Sequence, residues 1–389
     1  MLNTAFEPWP SFTQAEADAV SQVLLSNKVN YWTGQECREF EKEFAQYAQT
    51  KYAVALANGT VALDVALKAL GVGAGDDVIV TSRTFLASAS SIVTAGANPI
   101  FADVELDSQN ISRRTIEAVL TPNTKAIICV HLAGWMCDMD PIMELAHEKG
   151  IYVIEDCAQA HGATYKGQAA GSIGHIAAWS FCQDKIMTTG GEGGMVTTND
   201  EHLWKKMWSY KDHGKNFDSI YNKQHPPGFR WLHDSFGTNW RMMEMQAVIG
   251  RIQLQRMPEW TAQRNANMQT IYAAFADSPY FTVHQPSEQY GHAAYKCYVQ
   301  VNIEQLPQGW SRDRIMAEIN ALGVPCFSGS CSEVYLEHAF DDTPWRPAQR
   351  LSNAKQLGET SLMFLVHPTL SKESMAKTVA VIQQLKQTI

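Results

Sequence analysis

Lys185 is the residue whose type and setting could do covalent chemistry. It stands between an apolar run at 176–181 that reads as a buried strand and a loop at 188–194 made of threonine, glycine and Glu192. Burial disfavours an ammonium, and the neutral amine is the form that attacks carbonyls, so Lys185 is a Schiff-base candidate. A solvated surface lysine beside a glycine loop is the competing reading. Asp156 ends another apolar run, Phe85 stands after a third, and Ser180 lies with Lys185 at the end of the first. The turn Asn58-Gly59-Thr60 runs from a strand into a helix start, where free N–H groups and the helix dipole suit a phosphate; a simply capped helix fits the same residues. Neither GxGxxG nor GxxxxGK[ST] occurs, so no dinucleotide or nucleoside triphosphate is implied.

These groups need elements to hold them. Strands at 52–56, 78–80, 99–103, 125–131 and 151–155 alternate with helices at 61–70, 87–95 and 113–120 and with one capped by Asp140 and ended by Gly150. The alternation predicts an α/β fold with a parallel or mixed sheet covered by helices on both faces. Such sheets bind ligands at the carboxyl ends of their strands, where Phe85, Asp156, Ser180 and Lys185 fall. Before this region, residues 1–30 carry a helix at 13–25 with Thr13 as cap and Glu16 three positions on. Tyr31 and Trp32 form an aromatic turn that reads either as structure or as a ligand wall, whereas Phe40, Phe44 and Tyr47 recur at helical spacing and read as core. After a Pro/Gly-rich loop at 225–228, a helix begins at 242 and is expected to break at Pro258. The predicted division is a large domain of residues 1–255 and a smaller α+β domain of 256–389. The latter has a strand at 295–301, a helix from Ser311 to Gly323 and a final helix from about Ser371.

Composition limits the function classes. The 389 residues exceed the size at which one core stops growing, 45% are hydrophobic, and the formal net charge is -9. A nucleic-acid groove would need clustered lysine and arginine that the chain lacks. No apolar stretch is long enough to cross a bilayer, and the first residues lack the basic and apolar regions of a signal peptide, so a soluble cytoplasmic protein is expected. The eight cysteines include no CxxC pair, and neither a metal site nor a disulfide framework is indicated.

The set N-G-T-x-A-L (58–63), T-F (84–85), E-D-x-A-Q-A-H-G (155–162), S-F-x-x-x-K (180–185), T-T-G-G-E-G-G-M (188–195) and N-x-R-M (239–242) resembles the DegT family of sugar aminotransferases, fold type I pyridoxal 5'-phosphate (PLP) enzymes. The likeness runs in order from Tyr31 to about Gly250, with weaker echoes beyond.

The resemblance implies that Lys185 carries PLP, is displaced by an amino donor and then moves the proton. Asp156 would keep the pyridine nitrogen protonated, although alone it also reads as a strand-end cap. By the same resemblance Gln159 lies near the phenolic oxygen, Phe85 stacks on the ring, Gly59, Thr60 and Ser180 bind the phosphate, and Asn239 reaches the phosphate of a partner chain in a homodimer. From the local sequence, Asn239 equally reads as the cap of its own helix. Tyr31, Trp32, His131 and His367 match family positions as candidates for substrate contact. His161 matches too, and for each histidine a buried, hydrogen-bonded ring is the alternative. The gap Cys182-Gln183-Asp184 and the doubled Gly190-Gly191 depart from the family pattern where substrate would pass. Lysine rather than histidine at 185 points to transamination rather than dehydration. The implied reaction moves an amino group from L-glutamate to a nucleotide-linked keto-sugar, with a 4-keto-6-deoxyhexose preferred, for the amino sugars of O-antigen, lipopolysaccharide or secondary metabolites. A regulatory or binding protein that keeps the fold without turnover is the alternative.

Overall fold

A computed structural model describes residues 6–389. The strands are β1 (Tyr52–Leu56), β2 (Asp77–Thr81), β3 (Asn98–Ala102), β4 (Thr124–Val130), β5 (Tyr152–Asp156), β6 (Thr164–Tyr165), β7 (Gln168–Ala169), β8 (Ile176–Ser180), β9 (Gly194–Thr198), β10 (Phe281–Thr282), β11 (Tyr290–Gly291), β12 (Cys297–Val301), β13 (Cys326–Phe327) and β14 (Ser361–Phe364). The helices are α1 (Gln14–Leu25), α2 (Glu36–Tyr47), α3 (Gly59–Ala69), α4 (Ala87–Thr94), α5 (Arg113–Glu117), α6 (Met139–Lys149), α7 (Glu201–Lys211), α8 (Phe217–Tyr221), α9 (Glu244–Phe275), α10 (Arg312–Ala321), α11 (Ser352–Thr360) and α12 (Lys372–Thr388).

Seven strands form the large sheet in the order β1-β9-β8-β5-β4-β2-β3. β9 is antiparallel to both its neighbours, and the rest run in one direction, so the sheet is mixed and mostly parallel. Period-two alternation divides its side chains between two cores. Ala55, Ile79, Ile127, Val153 and Ala177 enter one, and Val54, Val80, Ile128, Ile154 and Ala178 enter the other. Both faces are covered, which is why these strands read as continuous apolar runs rather than alternating ones. Burying a Val or Ile side chain contributes roughly 1.5–3 kcal/mol, so the sheet is a rigid platform for whatever its ends carry.

A four-stranded antiparallel sheet, β10-β12-β14-β13, builds a third core with α10, α12 and the last turns of α9. The expected break at Pro258 does not occur: α9 runs unbroken from Glu244 to Phe275. Pro258 is exposed while Leu254, Met257 and Arg264 are buried, so the proline ring sits on the outer face and the packed face carries the helix through. The boundary expected at 255/256 therefore lies inside α9. Val334, Tyr335 and Phe340 also return to the core of the large sheet, and Phe6 joins the core of the small one. Two helix starts differ from expectation as well. α6 is capped at Asp138, with Asp140 in its first turn, and α3 begins at Gly59, which places Gly59 and Thr60 in the first turn.

Candidate active site

The carboxyl ends of β1, β2, β5 and β8 open on one cavity of about 600 Å³. Its walls include Gly59, Thr60, Phe85, Asp156, Gln159, Ser180 and Lys185, groups drawn from as much as 126 residues of chain. Among the described residues that line it, Lys185 is the one cation.

The lysine is held by its main chain. Its N–H donates to the Cys182 carbonyl at 3.1 Å, and its own carbonyl accepts from Trp9 Nε1 at 2.8 Å. The threonine–glycine loop folds back on the strand end, with Thr188 Oγ1 donating to the Phe181 carbonyl at 2.9 Å and Thr188 N–H to Gln253 Oε1 at 2.8 Å. The Lys185 side chain is 18% exposed and its Nζ lies 3.6 Å from Asp184 Oδ1.

Asp156, the last residue of β5, is buried. Its Oδ2 accepts from Ser88 Oγ at 2.8 Å, Ser88 meets Thr84 Oγ1 at 2.8 Å, and Oδ1 accepts from the Ala158 N–H at 3.1 Å. Burial raises the carboxyl above the ordinary carboxylate range, and the bonds from Ser88 and Ala158 only partly offset it. A buried acid without a cation bonded to it is the partner a protonated ring nitrogen requires. Gln159 turns its Oε1 to the Ala133 N–H at 2.8 Å.

At the other end of the cavity α3 presents its first turn. Asn58 caps the Val61 N–H at 3.0 Å, and Gly59 and Thr60 line the cavity beside Ser180. A Cβ at Gly59 would stand 2.6 Å from the Ser180 Cβ, so only glycine lets the helix start come this close to the strand end. Phe85 also lines the cavity and is 71% exposed, an apolar plate that a flat ring would cover. A ring plate, a carboxylate, a lysine and a helix N-terminus in one cavity fit PLP by the chemistry of the donor set.

Four of the expected substrate contacts lie elsewhere in the single chain. Tyr31 is 2% exposed, with its hydroxyl 3.2 Å from both Glu41 and Trp208 Nε1 and its ring 3.5 Å from Lys211 Nζ. Trp32 donates to Asp212 at 2.8 Å. His131 meets Glu155 at 2.9 Å through Nε2 and accepts the Cys137 N–H at 3.1 Å through Nδ1. His367 bonds Thr369 at 2.8 Å and stacks on Trp9. His161 is buried among Phe44, Trp179 and Phe181, and burial, with the charges of Lys185 and Arg264, lowers it to about 3. Glu155 and Cys157 also lie beside His131, but Glu155 already accepts from the N–H groups of Gly171, Ile173 and Gly174, so the cluster is a hydrogen-bond node.

Asn239 is exposed and does not line its own cavity. It does not cap α9 either, whose N-cap is Met243; it pairs instead with Asp212 in an isolated bridge. Ser88, Asp184 and Glu192 line the cavity without having been singled out as site residues. Only Ser88 carried a local signal, standing one helical turn after Thr84.

A mostly parallel sheet with lysine and aspartate at adjacent strand ends defines a fold type I PLP aminotransferase. The chain belongs to the DegT/DnrJ/EryC1/StrS aminotransferase family, which it matches over residues 10–383. It is 37% identical over 353 residues to a GDP-perosamine synthase from Caulobacter vibrioides, covering 89% of each chain. Its structure superposes on an aminotransferase from Psychrobacter cryohalolentis with a TM-score of 0.98 and 66% identity over 99% of both chains. On S. venezuelae DesV, solved in complex with a ketimine intermediate, the TM-score is 0.85 at 29% identity, covering 96% of this chain and 95% of the other. The cofactor of this aminotransferase is pyridoxal 5'-phosphate.

Proposed function

We propose that the protein transfers the amino group of L-glutamate to a keto-sugar linked to a nucleotide diphosphate, with a 4-keto-6-deoxyhexose as acceptor, in the synthesis of amino sugars for surface polysaccharide such as O-antigen or for secondary metabolites. The observation that carries this reading is one cavity holding Lys185, Asp156 and the open turn of α3 together. The relative named GDP-perosamine synthase supports a nucleotide-linked acceptor. Bound PLP supplies an electron sink for the carbon that loses its proton. Lys185 supplies the amine that anchors the cofactor and, once free, takes and returns that proton. Asp156, held by Ser88, keeps a proton on the ring nitrogen, while Phe85 and Gln159 orient the ring. Gly59, Thr60 and Ser180 hold the phosphate with N–H and hydroxyl groups, and Asn239 supplies an amide to the phosphate of a partner chain in a homodimer working in the cytoplasm.

Purified protein incubated with glutamate and a panel of nucleotide-linked keto-sugars, followed by mass spectrometry, tests the proposal. An amino-sugar product is expected from the 4-keto-6-deoxyhexose. Amination of none of the panel would end the reading.

A further inference from the structure

Asp184 lies between the lysine and a tyrosine from the far part of the chain. Its Oδ1 is 3.6 Å from Lys185 Nζ, and its Oδ2 accepts a hydrogen bond of 2.5 Å from the Tyr295 hydroxyl. Lys185 Nζ stands 5.5 Å from the centroid of the Tyr295 ring, and Lys296 Nζ stands 4.8 Å from the same centroid. Tyr295 is itself fixed, being buried with its N–H donating to the Ala133 carbonyl at 2.9 Å. Burial and the charge of Asp184 hold the phenol well above its ordinary value, so it stays a donor. The Asp184 side chain is 58% exposed; such burial as it has works against its charge, but Lys185 and the Tyr295 bond outweigh it and keep the carboxyl below the ordinary range.

This arrangement is separate from the cofactor grip formed by α3, Phe85 and Asp156. The main chain at 185 is already held on both sides by Cys182 and Trp9. What those bonds leave free is the four-carbon stem that carries the amine. We infer that Asp184, clamped by Tyr295, is a positioning residue that fixes the amino group of Lys185 at the cavity wall, in line with an incoming carbonyl. The neutral amine would bond the carbonyl carbon through Nζ and give up its two hydrogens to the carbonyl oxygen, which would leave as water, and Asp184 would take no part in the bonds made or broken. Its effect is to present the nucleophile in a near-attack arrangement at each capture, where misplacement by about 1 Å costs up to roughly 10²-fold in rate.

The inference rests on Lys185 being the cofactor lysine, and the test separates the two. Cofactor-free full-length protein is mixed with PLP, and bond formation is followed by absorbance; in parallel, the affinity for pyridoxamine 5'-phosphate, which forms no bond to lysine, is measured by fluorescence quenching. Asp184→Asn is expected to capture PLP about tenfold more slowly or worse, with pyridoxamine 5'-phosphate affinity unchanged. Asp184→Glu should recover part of the rate, and Tyr295→Phe should slow capture less than Asp184→Asn. Capture by Asp184→Asn at the wild-type rate overturns the inference. So does an equal loss of pyridoxamine 5'-phosphate affinity, which would make Asp184 part of the cavity frame. Borohydride reduction and peptide mapping of the wild type report on the lysine separately: an adduct elsewhere than Lys185 removes the assignment itself.

Discussion

Ser88 Oγ donates to Asp156 Oδ2 across 2.8 Å, and the pair connects the first turn of α4 to the end of β5. The bond works against the effect of burial on Asp156. Replacing Asp156 with Asn removes the charge that holds a proton on the ring nitrogen, and kcat should fall by roughly 10²–10³-fold while the phosphate grip keeps the cofactor bound. Replacing Ser88 with Ala keeps the carboxylate but raises its folded-state value further, so the ionised form is lost at a higher pH on the way down. The acid limb of the kcat profile should move to higher pH, with a loss of about tenfold at neutral pH. An unmoved acid limb would take Ser88 out of the account.

Purified protein should be yellow and should lose that colour with glutamate. In Lys185→Ala no borohydride-stable label should appear on the 180–190 peptide, read by mass spectrometry. A label there in the variant would place the covalent bond on another residue.

Asn239 neither caps α9 nor lines its own cavity, and the proposed function gives its amide to the phosphate of a partner chain. Mixing Lys185→Ala chains with Asn239→Ala chains should produce heterodimers with one site free of both lesions, and activity should recover toward a quarter to a half of wild type per dimer. Confirmed heterodimers without recovery would return Asn239 to a local role.

Glu155 contributes to stability rather than chemistry. Its value is lowered because the bonds from His131, Gly174 and Gly171 outweigh burial, so its contribution is present above the ordinary value of 4.5 and is lost as pH falls through the folded value. Glu155→Gln places an NH₂ against these donors and should cost about 3–5 kcal/mol in urea unfolding at pH 7. The deficit should narrow in acid, where the wild type protonates as well.

The strand ends and the lysine were legible because a sheet buried on both faces writes continuous apolar runs, and Asp156, Ser180 and Lys185 follow such runs directly. The phosphate turn was legible for a similar reason, since Asn58, Gly59 and Thr60 are contiguous. Ser88 was missed because its partner is 68 residues away, and Asp184 stood out only as a departure from the family pattern because Tyr295, which holds it, is 111 residues away. No local pattern encodes those distances. Tyr31 stayed open between structure and a ligand wall, since nothing local shows that its ring packs against the buried amine of Lys211. Pro258 misled, because intrinsic helix breaking yields to the packing of the buried face of α9.

Trp9 bonds to the Lys185 carbonyl, packs edge-on against Trp260 and stacks on His367. The stretch around it is tied down further by Thr369 Oγ1 donating to the Pro8 carbonyl at 2.9 Å and Ser374 Oγ donating to Glu7 at 2.8 Å. During synthesis, then, the ribosome has made Lys185 and its strand long before residue 374 completes this strap. At about 5–20 residues per second, the nascent lysine waits roughly ten to forty seconds for its seat. A chain halted in that interval carries the reactive amine without the contacts that aim it, and shortening the protein at either end is felt at its centre.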